Sequence, residues 1–329
     1  MSEIRTRIPT LYLVLPCYNE EEVISKTAVV VKDKLTRMAD AGLITRESKA
    51  LFVNDGSTDN TLRMLHDLSK QDSFYGVLSF AGNYGHQSAI LAGMMEARHY
   101  ADAVVTIDAD LQQDIEALDD FIAAYMSGCD VVYGVRNDRK TDGFMKRATA
   151  TMYYKLMHAL GSSAITNSAD YRLMSAKALE ALSEYEESSL FLRGLIPTMG
   201  FASDVVYFDV KAREAGQSKY TVKKMMRLAI DGITSCSIRP LHIIGTLGFL
   251  TVLATLVLIV ISLIDWINGK NVPGYTTMVI VMLALGGVIL LSLGVIGEYV
   301  GKSYMESKHR PRYIVDSVVL RECRKREED

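Results

Sequence analysis

The stretch Val104–Asp114 (VVTIDADLQQD) decides the fold class, because a run of apolar β-forming residues ends abruptly in two carboxylates, Asp108 and Asp110. Similar β-rich runs recur on both sides of it, and segments with helical periodicity alternate with them. The predicted strands are Leu11–Leu15, Leu51–Val53, Gly76–Phe80, Ala103–Ile107 and Asp130–Tyr133, and the predicted helices are Glu20–Met38, Thr58–Ser69, His86–Arg98 and Asp114–Met126. This alternation predicts an α/β domain with a mostly parallel sheet and right-handed crossovers.

Polar loops follow the first four predicted strands. They are Pro16–Glu20, Asn54–Asp59, Gly82–Gly85 and Asp108–Gln113. Because the carboxyl ends of parallel strands share one edge, we expect the four loops to converge on one crevice. Two carboxylates at a strand end suit Mg²⁺ or Mn²⁺, which bind protein carboxylates together with substrate phosphates. Taken alone, the same pattern also fits a solvated acidic turn.

Other polar residues are ambiguous when they are read one at a time. Asp55 is suited to hold a ribose or base donor, but Asp-Gly-Ser is also a common turn. Asp170 is a carboxylate among apolar neighbours, which fits either a catalytic group or an ion pair with Arg172. Cations for phosphate binding are plentiful, and spacing does not choose among them. The candidates are Arg136, Arg139, Lys146, Arg147, Arg213 and Lys219.

Two long apolar segments distinguish the C-terminal part of the chain. Leu241–Ile264 has 24 residues and Tyr275–Gly297 has 23, and neither carries a formal charge at neutral pH. About 20 apolar residues cross the hydrocarbon core of a bilayer, whereas runs of about 10–14 are more typical of buried core helices. The sequence therefore predicts an α-helical two-span transmembrane hairpin rather than a pair of core helices.

Charge and cysteine usage indicate the compartment. Positive residues flank the hairpin on its outer sides, and the connecting loop carries only Lys270. The positive-inside rule therefore predicts a multi-pass protein of the plasma or inner membrane, with both termini and the catalytic domain in the cytoplasm. Four well-separated cysteines without a CxxC pair agree with a reducing compartment. A net charge of −3 disfavours nucleic acid as a partner.

Together these segments predict four parts. They are a cytosolic catalytic domain over 1–220, an amphipathic interfacial helix over 221–240, the hairpin over 241–297 with spans 241–264 and 275–297, and a cytosolic charged tail over 298–329. The interfacial helix is expected because Lys and Arg mix with Met, Leu and Ile at helical spacing just before the first span. A solvated linker helix is the alternative for that segment.

In combination the loops resemble the successive motifs of family 2 glycosyltransferases with a Rossmann-like GT-A fold. The motifs include Leu15–Glu20 (LPCYNE), Asn54–Asp59 (NDGSTD), Asp108–Gln112 (DADLQ), Asp170–Met174 (DYRLM) and Gly216–Tyr220 (GQSKY). The spans and the following tail resemble the polyprenyl-phosphate branch typified by bactoprenol glucosyltransferase, and dolichyl-phosphate mannose synthase is a more distant relative. One departure is Gln113-Asp114-Ile115, where the family commonly has an acidic residue followed by proline.

The resemblance implies inverting, metal-dependent transfer of one sugar from a UDP-sugar, glucose being favoured, to undecaprenyl or another polyprenyl phosphate at a lipid bilayer. It implies that Mg²⁺ or Mn²⁺ is held by Asp108, Asp110 and Gln112. It implies a nucleotide-sugar pocket formed by Pro16, Tyr18, Glu20, Asp55, Asn83 and Asp108. Phosphate contacts are expected from Arg136, Arg147, Arg213 and Lys219, and catalytic roles from Asp110, Asp170 and Arg136.

Several alternatives stay open at this point. UDP-N-acetylglucosamine or GDP-mannose would serve the same reaction as donors. A processive polysaccharide synthase is disfavoured because those enzymes carry a QxxRW motif, and the single Trp here, Trp266, lies in the loop between the spans. A non-catalytic membrane adaptor is disfavoured because both metal carboxylates are retained. The resemblance is also compatible with a homo-oligomer. It leaves three roles open for Asp170, which are a general base, a metal ligand and a sugar contact.

Overall fold

The computed structural model describes residues 4–137, 165, 167–187, 191–209, 239–268 and 274–321. These residues fall into two compact units. The first unit contains the described residues up to 209 together with 311–321, and the second contains 239–268 and 274–310. The catalytic motifs described below all belong to the first unit.

The first unit alternates strands and helices along the chain. In order they are β1 Leu11–Cys17, α1 Ile24–Asp40, β2 Lys49–Asn54, α2 Thr61–Gln71, β3 Tyr75–Phe80, α3 His86–Ala97, β4 Ala103–Thr106, α4 Leu118–Met126, β5 Val131–Arg136, β6 Ser168–Ser175, α5 Ala176–Ser183, α6 Leu192–Leu195, β7 Ser203–Phe208 and β8 Val315–Val319. Short 3-10 turns span Ile115–Ala117 and Ile196–Met199. The second unit consists of α7 Arg239–Ile267 and α8 Tyr275–Glu306.

One eight-stranded sheet organises the first unit, in the order β7-β5-β6-β4-β1-β2-β3-β8. The central β4-β1-β2-β3 strands are parallel, whereas β6 runs antiparallel between β4 and β5. Both faces are covered. On one face, helix α1 presents apolar residues at intervals of three or four, including Ile24, Ala28, Val31 and Leu35, to a buried cluster with Leu13. The sequence-predicted α/β class with a mostly parallel sheet is therefore confirmed.

Helix α3 packs closely on the opposite face of the sheet. A Cβ atom added at Gly93 would lie 2.3 Å from a methyl carbon of Val14, so glycine permits a close approach of the helix to β1. Most residues of this helix are buried, in agreement with its apolar sequence. The close packing holds the N-terminal residues of α3, His86 and Gln87, at the edge where the central strands end.

The five strands and four helices predicted from the sequence are present, with small shifts at their ends. Three strands that the periodicity did not predict are β6, β7 and β8, of which the first two complete one side of the sheet. Strand β6 contains Asp170-Tyr171-Arg172, whose charged residues interrupt the apolar pattern expected of a buried strand. Its charged side chains are nevertheless buried, for reasons that belong to the site described below.

The last strand corrects the predicted charged tail. Instead of a tail over 298–329, the structure continues α8 through Glu306 and then adds β8 antiparallel to β3 at the edge of the sheet. Tyr313 stacks on Phe80 with the ring centroids 5.0 Å apart, and Arg312 donates to the main-chain carbonyls of Tyr185 and Glu187. Residues that follow the long helices are therefore part of the catalytic unit.

The second unit contains two long apolar helices, of 29 and 32 residues. In the part of the chain that the structure describes, one segment, Leu285–Glu306, is long and apolar enough to cross a membrane, with mean hydropathy 1.4 and no burial inside the protein. This finding supports membrane association, and the two-span arrangement stays a proposal. The predicted interfacial helix over 221–240 lies outside the described residues, apart from Arg239 and Pro240, which begin α7.

Candidate active site

The predicted polar loops leave the sheet at one edge. The parallel registers pair Cys17 with Asn54 and Val14 with Thr106, so the loops that follow β1, β2 and β4 emerge side by side. Strand β6 runs in the opposite direction, with Arg172 opposite Thr106. Its first residues, including Asp170, therefore lie at the same edge. The predicted convergence of the loops is what the topology produces.

Asp55 joins the loop after β2 to the loop after β3. Its carboxylate accepts hydrogen bonds from the main-chain N–H groups of Tyr84 and Gly85, at 2.7 and 2.9 Å, and its carbonyl accepts from the Asn83 amide at 3.2 Å. Burial raises the pKa of Asp55, and the two N–H donors oppose that rise. Asp55 and Asn83, both predicted for the nucleotide pocket, thus lie together.

The two loops meet at a point where only glycine fits. Gly56 has a φ of +63°, and a Cβ added there would lie 2.3 Å from the carbonyl carbon of Gly82. Both a left-handed backbone and the close approach of another main chain favour glycine at this position. Asn19 connects the loop after β1 to the same region, because its N–H donates to the Ser57 hydroxyl at 3.0 Å.

Asp108 is held by a side chain that the sequence reading did not assign. Gln113, which is 3% exposed, accepts from the Asp108 N–H at 3.0 Å and donates to the Asp108 Oδ2 atom at 2.7 Å. The Gln112 N–H donates to Asp110 at 3.1 Å, within the same turn. The departure from the expected motif at Gln113 therefore bears on the carboxylate of Asp108 itself.

Asp170 is the hub of a buried charge cluster. Its side chain is 7% exposed and accepts from Arg193 through Nε at 3.0 Å and Nη2 at 2.9 Å. It also accepts from Gln87 Nε2 at 3.0 Å and from Arg172 Nη2 at 3.3 Å. Although burial raises the pKa of Asp170, the Arg193 charge and hydrogen bond, the nearby His86 and the Arg172 charge together outweigh burial and hold that pKa well below its usual range. Asp170 is therefore ionised.

His86 lies between the two carboxylate centres. Its Nε2 atom is 3.5 Å from Asp108 Oδ1 and 3.7 Å from Asp170 Oδ2. Burial lowers the pKa of His86, but the nearby carboxylates of Asp170 and Asp108 outweigh burial and raise it. Burial raises the pKa of Asp108, and the negative charges of Asp170 and Asp110 raise it further, against the opposing effect of His86. The edge thus concentrates negative charge around Asp108.

The residues present fit a divalent cation. In the described part of the chain, no group of three or more His, Cys, Asp or Glu side chains is arranged to hold a metal ion by itself. Asp108 and Asp110 offer two carboxylates that repel each other, and a cation would relieve that repulsion. Hard cations such as Mg²⁺ are commonly bound by one or two carboxylates, with substrate phosphates completing the shell. A cation here would share its coordination with a phosphate-bearing ligand.

The remaining predicted site residues are distributed unevenly. Pro16 is a buried residue near the end of β1. Tyr18 is 46% exposed, and it lies with Glu20 in the loop that follows. Arg136 is exposed at the end of β5. Arg147, Arg213 and Lys219 lie outside the described residues. The roles assigned to all of these residues stay predictions.

The sequence-based predictions missed four residues of the site, which are His86, Gln87, Gln113 and Arg193. Three of them carried a weak local signal. His86 and Gln87 open a helix immediately after a polar glycine loop, and Gln113 follows the paired carboxylates. Arg193 carried none, because it lies 23 residues after Asp170 in a segment without a recognisable motif.

Comparison with known proteins places these residues in a family. The model of "Glycosyl transferase family 2" matches residues 12–183, and the model "GtrB C-terminal hairpin" matches residues 239–303. The chain belongs to glycosyl transferase family 2. It is 43% identical over 308 residues to the "Uncharacterized glycosyltransferase YkoT" of Bacillus subtilis (strain 168), covering 94% of this chain and 91% of the relative. The predicted family, and with it glycosyltransferase activity, is confirmed.

A second relative carries a more specific name. The chain is 38% identical over 305 residues to the "Bactoprenol glucosyl transferase" of Shigella phage SfV, covering 92% of this chain and 97% of the relative. Among solved structures, glucosyl-3-phosphoglycerate synthase from Mycobacterium tuberculosis, crystallised with Mn²⁺ and UDP-glucose, is similar at 18% identity and a TM-score of 0.43. That similarity covers 69% of this chain and 78% of the other.

Proposed function

We propose that this glycosyltransferase moves a single sugar from a UDP-sugar, most favourably UDP-glucose, to the phosphate of a membrane polyprenol with inversion at the anomeric carbon. The observation that carries the proposal is the pair Asp108 and Asp110 at the end of β4, with the cationic cluster around Asp170 beside it. The similarity over nearly the whole chain to proteins named for bactoprenol supports the choice of acceptor.

The donor would bind along the edge formed by the loops after β1, β2 and β3. Asp55 holds Tyr84 and Gly85 in place, which fixes the loop that contains Asn83. Asp108 and Asp110 would hold Mg²⁺ or Mn²⁺, and Gln112 follows them in the same turn. When bound, such an ion supplies charge that stabilises the departing nucleoside diphosphate.

The proposed reaction requires alignment of the two substrates more than it requires removal of a proton. A phosphate monoester has a second pKa near 6, so the acceptor is largely dianionic at neutral pH. One of its oxygens forms the new bond to the anomeric carbon while the bond from that carbon to the diphosphate oxygen breaks. Since no proton has to be removed, the protein must hold two anionic substrates in line and offset their repulsion. Five donor groups surround the Asp170 carboxylate. Such surroundings suit a site that offsets phosphate charge better than they suit a general base.

Connectivity supports a membrane hairpin that begins and ends on the same side. Strand β7 precedes the two long helices, strand β8 follows them, and both strands belong to one sheet. A chain that leaves and rejoins one folded unit crosses a bilayer an even number of times. We therefore propose two spans, with the catalytic unit and both termini in the cytoplasm, in agreement with the flanking positive charge.

The test uses full-length protein purified in detergent, with Mn²⁺ or Mg²⁺, undecaprenyl phosphate and a panel of radiolabelled UDP- and GDP-sugars. We expect label in a lipid that carries one sugar, and no label when the metal is removed by EDTA. The donor that labels the lipid decides between glucose, N-acetylglucosamine and mannose. Label in a polymer would instead indicate a processive synthase.

A substitution separates the enzyme from a non-catalytic adaptor. Asp110→Ala should abolish transfer, while Asp67→Ala, which changes an exposed carboxylate in an ion pair with Lys70 on α2, should leave transfer intact. If the wild-type protein binds UDP and Mn²⁺ but labels no lipid with any donor, the proposed reaction is wrong. That result would favour a non-catalytic membrane adaptor. A homo-oligomer can be examined on the same preparation by light scattering.

A further inference from the structure

The cluster around Asp170 has a composition that a base or a metal ligand does not need. Two guanidinium groups, those of Arg172 and Arg193, contact a single carboxylate. Two positive charges and one negative charge leave the trio with a net charge of +1. The trio sits at the edge that would bind two phosphate-bearing substrates, next to the negative charges of Asp108 and Asp110.

The two arginines differ in exposure, and that difference separates their roles. The Arg172 side chain is 2% exposed, whereas the Arg193 side chain is 36% exposed. Arg172 is therefore an internal counter-ion for Asp170. The positive charge that reaches the surface of the site is carried by Arg193. Arginine matches phosphate oxygens through its planar fork of N–H groups, and a guanidinium already held in one orientation loses less entropy on binding.

The main chain just before Arg193 is held as well as its side chain. Arg172 Nη1 donates to the carbonyl of Leu192 at 3.3 Å, so the buried arginine holds the residue immediately before Arg193. Asp170 then holds the side chain through both Nε and Nη2. Strand β6 thus fixes helix α6 at two points, and the result is a single defined direction for the exposed guanidinium.

We propose that Arg193 binds a phosphate group of the reacting substrates, and that Asp170 is its positioning residue. The inference rests on the proposed function, since it names a further residue for the same site. Asp170 acts as the counter-ion that orients Arg193, and its own oxygens already accept from three side chains. The phosphate comes either from the nucleotide donor or from the lipid acceptor, and the chemistry of recognition is the same.

Binding measurements on full-length protein in detergent test this without relying on turnover. One arm titrates UDP in the presence of Mn²⁺, and the other titrates farnesyl phosphate, each by calorimetry. The variants are Arg193→Gln, Arg193→Lys, Asp170→Asn and the double variant Arg193→Gln/Asp170→Asn. Arg98→Gln is the matched control, because Arg98 pairs with Glu180 at 3.6 Å near the opposite end of α3 from His86.

We expect Arg193→Gln to weaken binding of one of the two ligands by about 10- to 100-fold, as is typical for loss of a hydrogen bond to a charged group. The ligand affected identifies the source of the phosphate. Arg193→Lys should recover part of the loss, and Arg98→Gln should change neither affinity. Asp170→Asn should weaken the same ligand, and the double variant should bind no worse than Arg193→Gln to within about threefold, because both changes remove one interaction.

Two results would overturn the inference. The first is unchanged binding of both ligands in Arg193→Gln, and the second is a double variant whose loss is the product of the two single losses. If Asp170→Asn does not fold, the two Arg193 variants still decide, since that side chain is partly exposed. Absence of transfer by the wild-type protein would contradict the proposed function and leave the UDP arm intact, so the two failures are distinguishable.

Discussion

Two buried carboxylates at the same edge of the sheet are held by different kinds of hydrogen-bond donor, and their pKa values shift in opposite directions. Asp55, 3% exposed on the side of β2 and β3, is held by main-chain N–H groups. Asp170, 7% exposed on the side of β6, is held by two arginines and a glutamine. At Asp55 burial raises the pKa more than the N–H donors lower it, whereas at Asp170 the neighbouring positive charges and hydrogen bonds together outweigh burial and lower the pKa.

The difference separates the edge into two kinds of surface. Around Asp55 a carboxylate fixes loop conformation with neutral donors, which suits a pocket that selects a nucleotide by shape and hydrogen bonds. Around Asp170 the same group organises cations, which suits a region that offsets phosphate charge. Asp108 lies between them and contacts the second side through His86. Each prediction below tests one part of this division.

The largest effect is expected at the carboxylate pair between the two sides. Asp110→Ala removes one of the two carboxylates proposed to hold the cation, so transfer should fall by about 10³-fold or more. The measurement is initial rate of lipid labelling at saturating Mn²⁺. Asp67→Ala is the control, and transfer by Asp110→Ala within tenfold of wild type would remove the carboxylate pair from the mechanism.

The next effect contrasts the stability of the two sides. Asp170→Asn leaves two arginine side chains without their counter-ion, and breaking a buried ion pair costs about 3–5 kcal/mol. Asp55→Asn replaces the oxygen that accepts from the Gly85 N–H by an NH2 donor, and leaving that N–H unsatisfied costs about 1–3 kcal/mol. Unfolding of the purified variants by denaturant at pH 7 measures both. Equal losses, or a larger loss for Asp55→Asn, would contradict the comparison.

Sequence patterns predict the features that depend on residues close together in the chain, and they miss those that depend on contacts between distant residues. The sheet is predictable because its strands and helices alternate within short windows, and Asp55 and Asp108 are predictable because strand ends place them. Asp170 joins Gln87, which is 83 residues away, and Arg193, which is 23 residues away, and no local pattern encodes such contacts. Strand β8 was missed for the same reason, because it pairs with β3 only after the long helices.

A smaller effect is expected at Gln113, the glutamine that holds Asp108. Gln113→Ala removes both hydrogen bonds that hold Asp108, so Mn²⁺ affinity should fall by about 10- to 100-fold, as for other residues that orient a metal ligand. Calorimetric titration with Mn²⁺ and UDP measures this change. Gln112→Ala is the companion variant, because Gln112 is the predicted ligand. A loss confined to Gln112→Ala would show that Gln113 has no positioning role.

The smallest effect, in the pH dependence of stability, has opposite signs on the two sides. Because the folded-state pKa of Asp170 is lowered, its stabilising contribution is complete above the unfolded-state pKa near 3.9 and is lost as the pH falls below that value. Because the folded-state pKa of Asp55 is raised, the wild-type protein gains stability from it as the pH falls from 7 toward 4.

The two asparagine variants convert these signs into a measurement. Relative to wild type, the deficit of Asp170→Asn should be constant between about pH 5 and 8 and should shrink below about pH 4. The deficit of Asp55→Asn should instead grow as the pH falls from 7 toward 4, because the variant lacks the carboxyl group that gains a proton. Denaturant unfolding from pH 3.5 to pH 8 tests both trends. Parallel profiles would mean that charge does not distinguish the two sides.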